Sequence, residues 1–434
     1  MKNSWIWSIV FALVMVSPVR CQLEVSSRDS HTFSAAAFKE RCGNTPRGNH
    51  GGRKCAWVKE DNASNPQYVS AQLLSAIPIH IDIPVPPTPV KANGKVHLLY
   101  ELHLTNFRSK DLELTRLEVL ADRANTLPLA SYMDTELDSR LAHPGAPPNL
   151  SDQRIIGAGM RAIVFLEITF GKDSEVPSAL RHRLFFKSDI QDGGATFLES
   201  PLVVIRRSRP LVVGPPLHGE GWVALSGMSN TSLHRRTIVV VNGKARIGQR
   251  FATDWTRIGA DGVAFHGDPS KNANWSAYGA EVLAVANATV VDLKDAVPEN
   301  DPTSDHKAVS ITLDTVGGNY IILDLGNACF AFYAHLQPNT IRVKIGDRVR
   351  RGQVIALLGN SGNSDAPHLH FHVTDGNSPL GAEGVPYVLD AFEMQGTLPS
   401  KQLLIKGGWT AEPGSATDRR TLEIPTENAI VRFP

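Results

Sequence analysis

A chain of 434 residues that is 42% apolar has room for two globular domains with ordinary cores, plus appendages. Its 44 Lys and Arg against 43 Asp and Glu leave a formal net charge of +1. That balance removes any electrostatic argument for nucleic acid or an anionic membrane surface as partner.

At the N-terminus, Lys2 precedes an apolar run from Trp5 to Val16, followed by Ser17-Pro18-Val19-Arg20-Cys21. This reads as a secretory signal peptide over 1–21, too short for a good membrane span. Arg20 just before Cys21 argues against a lipoprotein attachment site. The expectation is a soluble, exported protein, secreted or periplasmic at the cell envelope, with no stable membrane insertion. Residues 22–75 are rich in Ser, Arg, Gly and Asn and form a loosely structured leader, where Cys42 and Cys55 bracket a loop that an oxidising compartment would let them close as a disulfide. Cys329 is then left without a partner, and its strand-like surroundings suggest a buried, inert thiol.

From Ile77 the chain alternates. Ile77 to Val85, Val96 to Leu104, Leu112 to Leu120, Ala162 to Phe170, Leu180 to Phe186 and Leu202 to Ile205 are strand candidates separated by turn residues. They predict a β-sandwich of immunoglobulin-like size over 76–210. A helical insert around Tyr132 to Leu141 is the alternative within it. His80, His97, His103 and His182 are scattered at strand positions and read as surface or hydrogen-bonded histidines. Arg206 to Leu217, with Pro210, Pro215 and Pro216, marks a linker. A second β domain follows over 218–395, with strands at Thr237 to Asn242, Val282 to Val291, Val309 to Leu313 and Asn319 to Asp324. A long polar loop, Asp261 to Tyr278, is a candidate groove wall. In the tail, 396–434, Gln402 to Ile405 and Ala429 to Phe433 are expected to pack back as a hairpin. The fold class is all-β.

Chemistry concentrates between Phe330 and Val373. Ile345, Val349, Val354, Ala356 and Leu358 supply apolar strand positions punctuated by turns at Gly346-Asp347 and Gly352-Gln353, a meander of short strands. His368-Leu369-His370-Phe371-His372 has period two, so on a strand the three imidazoles share one face and Leu369 and Phe371 the other. A core strand has no reason to carry three buried imidazoles, each needing a hydrogen-bond partner. With His335 ahead of them, they point to a functional or formerly functional site. A lipoyl or biotinyl carrier uses similar turns but needs an exposed lysine at a hairpin apex, and none sits in such a context.

Y-A-H-L, G-D-R-V-R-R-G-Q, G-N-S-G and P-H-L-H-F, in that order between Asn319 and Val373, resemble the lysostaphin-type family of zinc peptidases, which cleave peptide bonds in bacterial peptidoglycan. The likeness extends more weakly back to about Gln249 and implies a lysostaphin-type antiparallel sheet domain, the duplicated hybrid motif fold. It implies zinc as cofactor and peptidoglycan or its stem peptides as partner. His370 would be a metal ligand, with His335 and His368 as the catalytic pair that orients water and steadies the intermediate. The family's other two ligands come from an H-x-x-x-D motif. Here the matching stretch is Gln249 to Trp255, in which Asp254 fits the aspartate and Arg250 stands where the histidine should be. Guanidinium stays protonated and offers a metal no lone pair. Beside Asp254, Arg250 is expected to form a bidentate ion pair with it. His372, on the face of His370, or His266, from the long loop, are the candidate substitutes. Two functions follow: a zinc metalloendopeptidase acting on wall cross-links, favoured by the resemblance, or an inactive relative that binds cell wall or regulates another envelope hydrolase, favoured by Arg250.

Overall fold

The computed structural model describes residues 39–41, 56–58, 77–122, 127–145, 152–187, 197–401, 403–407, 409 and 418–434. The expected signal peptide over 1–21 and the Cys42–Cys55 bridge lie outside them. The chain divides into two compact units, Met1–Leu74 and Ser75–Pro434. In the first, Lys39–Arg41 pairs antiparallel with Ala56–Val58. Among the described residues no helix is long and apolar enough to cross a membrane.

The larger unit begins with two antiparallel sheets. One runs Ile79–Asp82, Lys95–Asn106, Arg161–Phe170, Leu141–Ala142, with Val90–Ala92 also on Lys95–Asn106. The other runs Phe197–Glu199, Ala179–Phe186, Leu112–Ala121, Ala130–Met133. Leu98, Tyr100, Leu102 and Leu104, at period two on one face of the long strand, join Leu114, Leu117, Leu180 and Leu184 in a single buried cluster. The opposite face of that strand is buried too: Leu99 enters the C-terminal core with Trp222 and Val213, and Glu101 is 2% exposed. The helical alternative survives as one short helix, Asp134–Asp138.

Tyr100 and His182 make a closed polar contact inside this sandwich. The Ser200 hydroxyl donates to the Pro201 carbonyl and accepts from the His182 ring at Nδ1, so Nε2 accepts the Tyr100 hydroxyl at 2.7 Å. Burial pushes the His182 pKa down to about 3. Below about 6.5 the unfolded imidazole binds a proton that the folded one refuses, so stability should fall progressively from pH 6.5 toward pH 3. Thermal melts across that range check this, and His182→Gln, which keeps an acceptor without titrating, should flatten the acid limb. His97, paired with Glu167 at 2.9 Å, is likewise satisfied.

The C-terminal part is built on a ten-stranded antiparallel sheet. Its order is Arg348–Val349, Ala288–Lys294, Asn319–Asp324, Phe330–Leu336, Leu369–Thr374, Thr253–Arg257, Gly219–Leu225, Ala429–Phe433, Phe392–Thr397, Asp418–Arg420. Leu369, Phe371 and Val373 point into the main core with Tyr333 and Trp255. Val354–Leu357 of the meander pairs with Glu281–Leu283, and Gly346 and Gly352 turn at φ 91° and 79°.

Five expectations change. Ala429–Phe433 is no hairpin partner of 403–405 but an inner strand between Gly219–Leu225 and Phe392–Thr397, its backbone paired on both edges and Ala429, Ile430, Val431 and Phe433 buried. Leu403–Lys406 is a helical turn that Gly407 stops at φ 71°. Val309 to Leu313 is not a strand: Thr312 and Thr315 side chains capture nearby backbone and each other, and Leu313 is exposed. The proline-bearing linker carries a strand, Leu211–Val213, parallel to Tyr387–Leu389. Cys329 is only half-buried, and burial pushes its thiol pKa up.

Candidate metal centre

Strand register assembles the site. Asp254 lies directly opposite His370 on one side, and Ala334 opposite His370 on the other. His335 follows Ala334 with φ 63°, a left-handed conformation that costs a non-glycine residue about 1–3 kcal/mol and that surrounding structure must enforce. It is enforced by bonds from its own N–H to Gly317 O and from Gly359 N–H to its carbonyl, at 2.9 and 3.1 Å. The result brings the His335 and His368 rings to 4.8 Å between centroids, with His335 and His370 at 5.8 Å.

The carbonyls around these rings fix where the protons sit, since a carbonyl only accepts. His335 Nδ1–H donates to Ser361 O at 2.8 Å, and His368 Nδ1–H to Ala366 O at 2.8 Å. His372 Nε2–H donates to Pro379 O at 3.1 Å, so its Nδ1 accepts from His370 Nε2–H at 2.8 Å. His370 therefore turns an unprotonated Nδ1 toward Asp254 Oδ1, 2.8 Å away. A fourth imidazole completes the pattern. His234, on the short helix Leu233–Arg236, donates Nδ1–H to Ser226 O at 3.0 Å and turns Nε2 toward Asp254 Oδ2 at 3.2 Å. Ring nitrogens of three imidazoles, His234, His370 and His368, thus converge on one carboxylate, with His368 Nε2 at 3.4 Å. A ring nitrogen facing a carboxylate oxygen at these distances calls for a positive charge between them, a proton or a metal ion.

The donor atoms of His234, Asp254 and His370 all lie within 4.8 Å of one another. Two imidazoles and one carboxylate are a donor set that fits zinc. The hydrogen bond from His370 to His372 is the kind of outer contact that fixes the tautomer of a ligating histidine. Electrostatics follow from the same contacts. Burial alone would raise Asp254, but His234 and His368 outweigh it and hold the carboxyl well below its usual range. Burial pushes His370 down to about 4 and His335 and His372 lower than the usual imidazole value, while Asp254 overcomes burial and raises His368.

Of the residues singled out from the sequence, Asp254, His335, His368, His370 and His372 come together here. Two do not. His266 is exposed and pairs with Asp261 at 3.4 Å. Arg250, on the turn before the Asp254 strand, makes no ion pair with Asp254. Its guanidinium reaches Glu101 Oε2 at 3.0 Å and Glu383 Oε2 at 3.1 Å, because those buried carboxylates need a cation and Asp254 is already surrounded by imidazoles. Burial would raise Glu101, yet Arg250 and Arg235 hold its carboxyl below the ordinary value. His372 leans onto His370 rather than onto the Asp254 carboxylate. His234 was missed: it stands in Ser232-Leu-His-Arg-Arg, a stretch with no period, and only its neighbour arginines mark it.

The loop behind His335 has no slack. Gly318 sits at φ 61°, and a Cβ there would lie 2.4 Å from the backbone of Ser361, whose carbonyl receives the His335 proton. Gly318→Ala should lower Tm by several degrees, read by thermal melts.

The family model "Peptidase family M23" matches residues 273–381, which contain His335, His368, His370 and His372 but neither His234 nor Asp254. Peptidoglycan DD-endopeptidase ShyB of Vibrio cholerae is 39% identical over 80 residues, 18% of this chain and 18% of that protein. Lysostaphin of Staphylococcus staphylolyticus is 35% identical over 78 residues, 17% of this chain and 16% of its own length. The matched stretches thus span less than a fifth of these relatives. The catalytic domain of lysostaphin from Staphylococcus simulans aligns at 23% identity over 34% of this chain and 80% of that one, with a TM-score of 0.20. The segment that carries the histidine strand, residues 273–381, is thus similar to peptidase family M23.

Proposed function

We propose that this protein is a zinc-dependent peptidase that hydrolyses peptide bonds in bacterial peptidoglycan, exported to the cell envelope or beyond, with His234, Asp254 and His370 as the metal-holding set. The reading is carried by one observation: three imidazole ring nitrogens directed at a single half-buried carboxylate. It is supported by the M23 match over 273–381 and by relatives whose names make them peptidoglycan endopeptidases. When bound there, zinc supplies Lewis acidity that makes a coordinated water nucleophilic near neutral pH. Asp254 supplies the negative charge that His234 and His370 lack. His335 and His368, each with its Nδ1 proton committed to a carbonyl, keep Nε2 for the reacting atoms, where it can take a proton from water and return it to the leaving amine. Arg250 takes no part in this and stands as a structural cation.

The test is zinc stoichiometry on purified protein together with release of new amino groups from purified peptidoglycan. About one zinc per chain, removed by chelator along with hydrolysis and restored with it, is expected. Wall binding without hydrolysis, in a protein that holds no zinc, would favour instead an inactive relative that binds the wall or regulates another hydrolase.

A further inference from the structure

We propose that Glu101, a residue of the N-terminal sandwich, is a positioning residue for His234 acting through Arg235, so that the sandwich holds one arm of the metal set in place; this rests on the zinc reading above. Arg235 follows His234 on the same short helix and is 1% exposed. All of its fork is spent on the sandwich side or its own loop. Nε donates to Glu101 Oε1 at 3.3 Å, and Nη2 to the carbonyls of Tyr100 at 3.0 Å and Leu166 at 2.7 Å, which belong to two adjacent sandwich strands. Nη1 donates to Asn230 Oδ1 at 2.5 Å. A helix of four residues has no rigidity of its own. The direction of His234 is set by the bond to Ser226 O on one side and by the Arg235 anchor on the next residue, with Arg236 Nε tied to Asn230 O and Nη2 to Ser139 O.

Glu101 is shared. Its second oxygen takes the Arg250 fork, at 3.2 and 3.0 Å, and Arg250 continues to Glu383. Two buried guanidiniums thus depend on one carboxylate. Neutralising Glu101 leaves Arg250 its contact with Glu383 but leaves Arg235 only the charge of Glu167, which makes no ion pair with it among the described residues. Arg235 then has reason to swing out toward water, and it carries His234 with it. Neutralising Glu383 strands Arg250 in a similar degree but leaves Arg235 anchored. The two carboxylates separate positioning from mere burial of charge.

The experiment measures Zn2+ affinity by chelator competition, and the visible absorption of the Co2+-loaded protein, for the full-length chain and its Glu101→Gln and Glu383→Gln variants. Both variants should lose thermal stability. Only Glu101→Gln should lose about ten- to a hundredfold in Zn2+ affinity, the usual effect of removing an outer partner of a ligand, with an altered Co2+ spectrum. Equal affinities and spectra in the two variants would overturn the positioning role. If Glu101→Gln does not fold, Arg235→Lys serves, since it keeps the buried cation but cannot span Glu101 and both carbonyls; unchanged affinity in it would overturn the role equally. Failure of the unaltered protein to bind either metal would overturn the zinc reading, and this inference with it.

Discussion

His234→Ala should lower zinc affinity by roughly a hundredfold, taking about 3 kcal/mol per ligand from the 10–16 kcal/mol of a four-ligand zinc site. The proposed hydrolysis of peptidoglycan should fall below detection at zinc levels that saturate the unaltered protein. The fold should survive, because His234 is partly exposed and its ring makes one bond to the main chain, to Ser226 O. Near-native melting with lost zinc would place the third ligand on the Leu233–Arg236 helix. Zinc retained at full affinity would sink that assignment and leave Asp254 and His370 to hold the metal with a residue other than His234.

Arg250→His should unfold the protein more easily without improving zinc binding. From the sequence motif alone the opposite is natural, since the change restores the family's H-x-x-x-D pattern before Asp254. In the structure the side chain at 250 points to Glu101 and Glu383, both buried, and away from Asp254. Removing one partner from a buried ion pair costs about 3–5 kcal/mol, because the charges left behind have neither water nor a counterion. A Tm lowered by many degrees with zinc affinity unchanged or weaker is the expected result, measured by calorimetry and chelator competition. A gain in zinc affinity would mean that the 250 side chain can reach the metal and that the ion-pair role is wrong.

The two substitutions show where the sequence is informative. Period two in His368 to His372 placed the imidazoles of His370 and His372 on one face and Leu369 and Phe371 in the core, because a strand allows nothing else once its apolar face is buried. The strands at Asn319–Asp324, Ala162 to Phe170 and Leu180 to Phe186 were legible for the same reason. Short motifs carried His335, His368, His370 and Asp254. Local side-chain bonding defeated the reading of Val309 to Leu313, and pairing on both edges defeated that of Ala429 to Phe433, since neither competitor leaves a trace in periodicity.

By itself, then, the sequence indicated an all-β chain, four of the residues that come together at the candidate site and a departure from the ligand motif of the family it resembles, because strand alternation and motif spacing are local properties. Only the tertiary structure decided what the break means. Arg250 is held by two carboxylates, one of them Glu101 in the sandwich, and the vacancy beside Asp254 is filled by His234 from a stretch without any pattern. Both are long-range pairings between buried charges and lone pairs, and these are set by which surfaces meet, not by residue spacing.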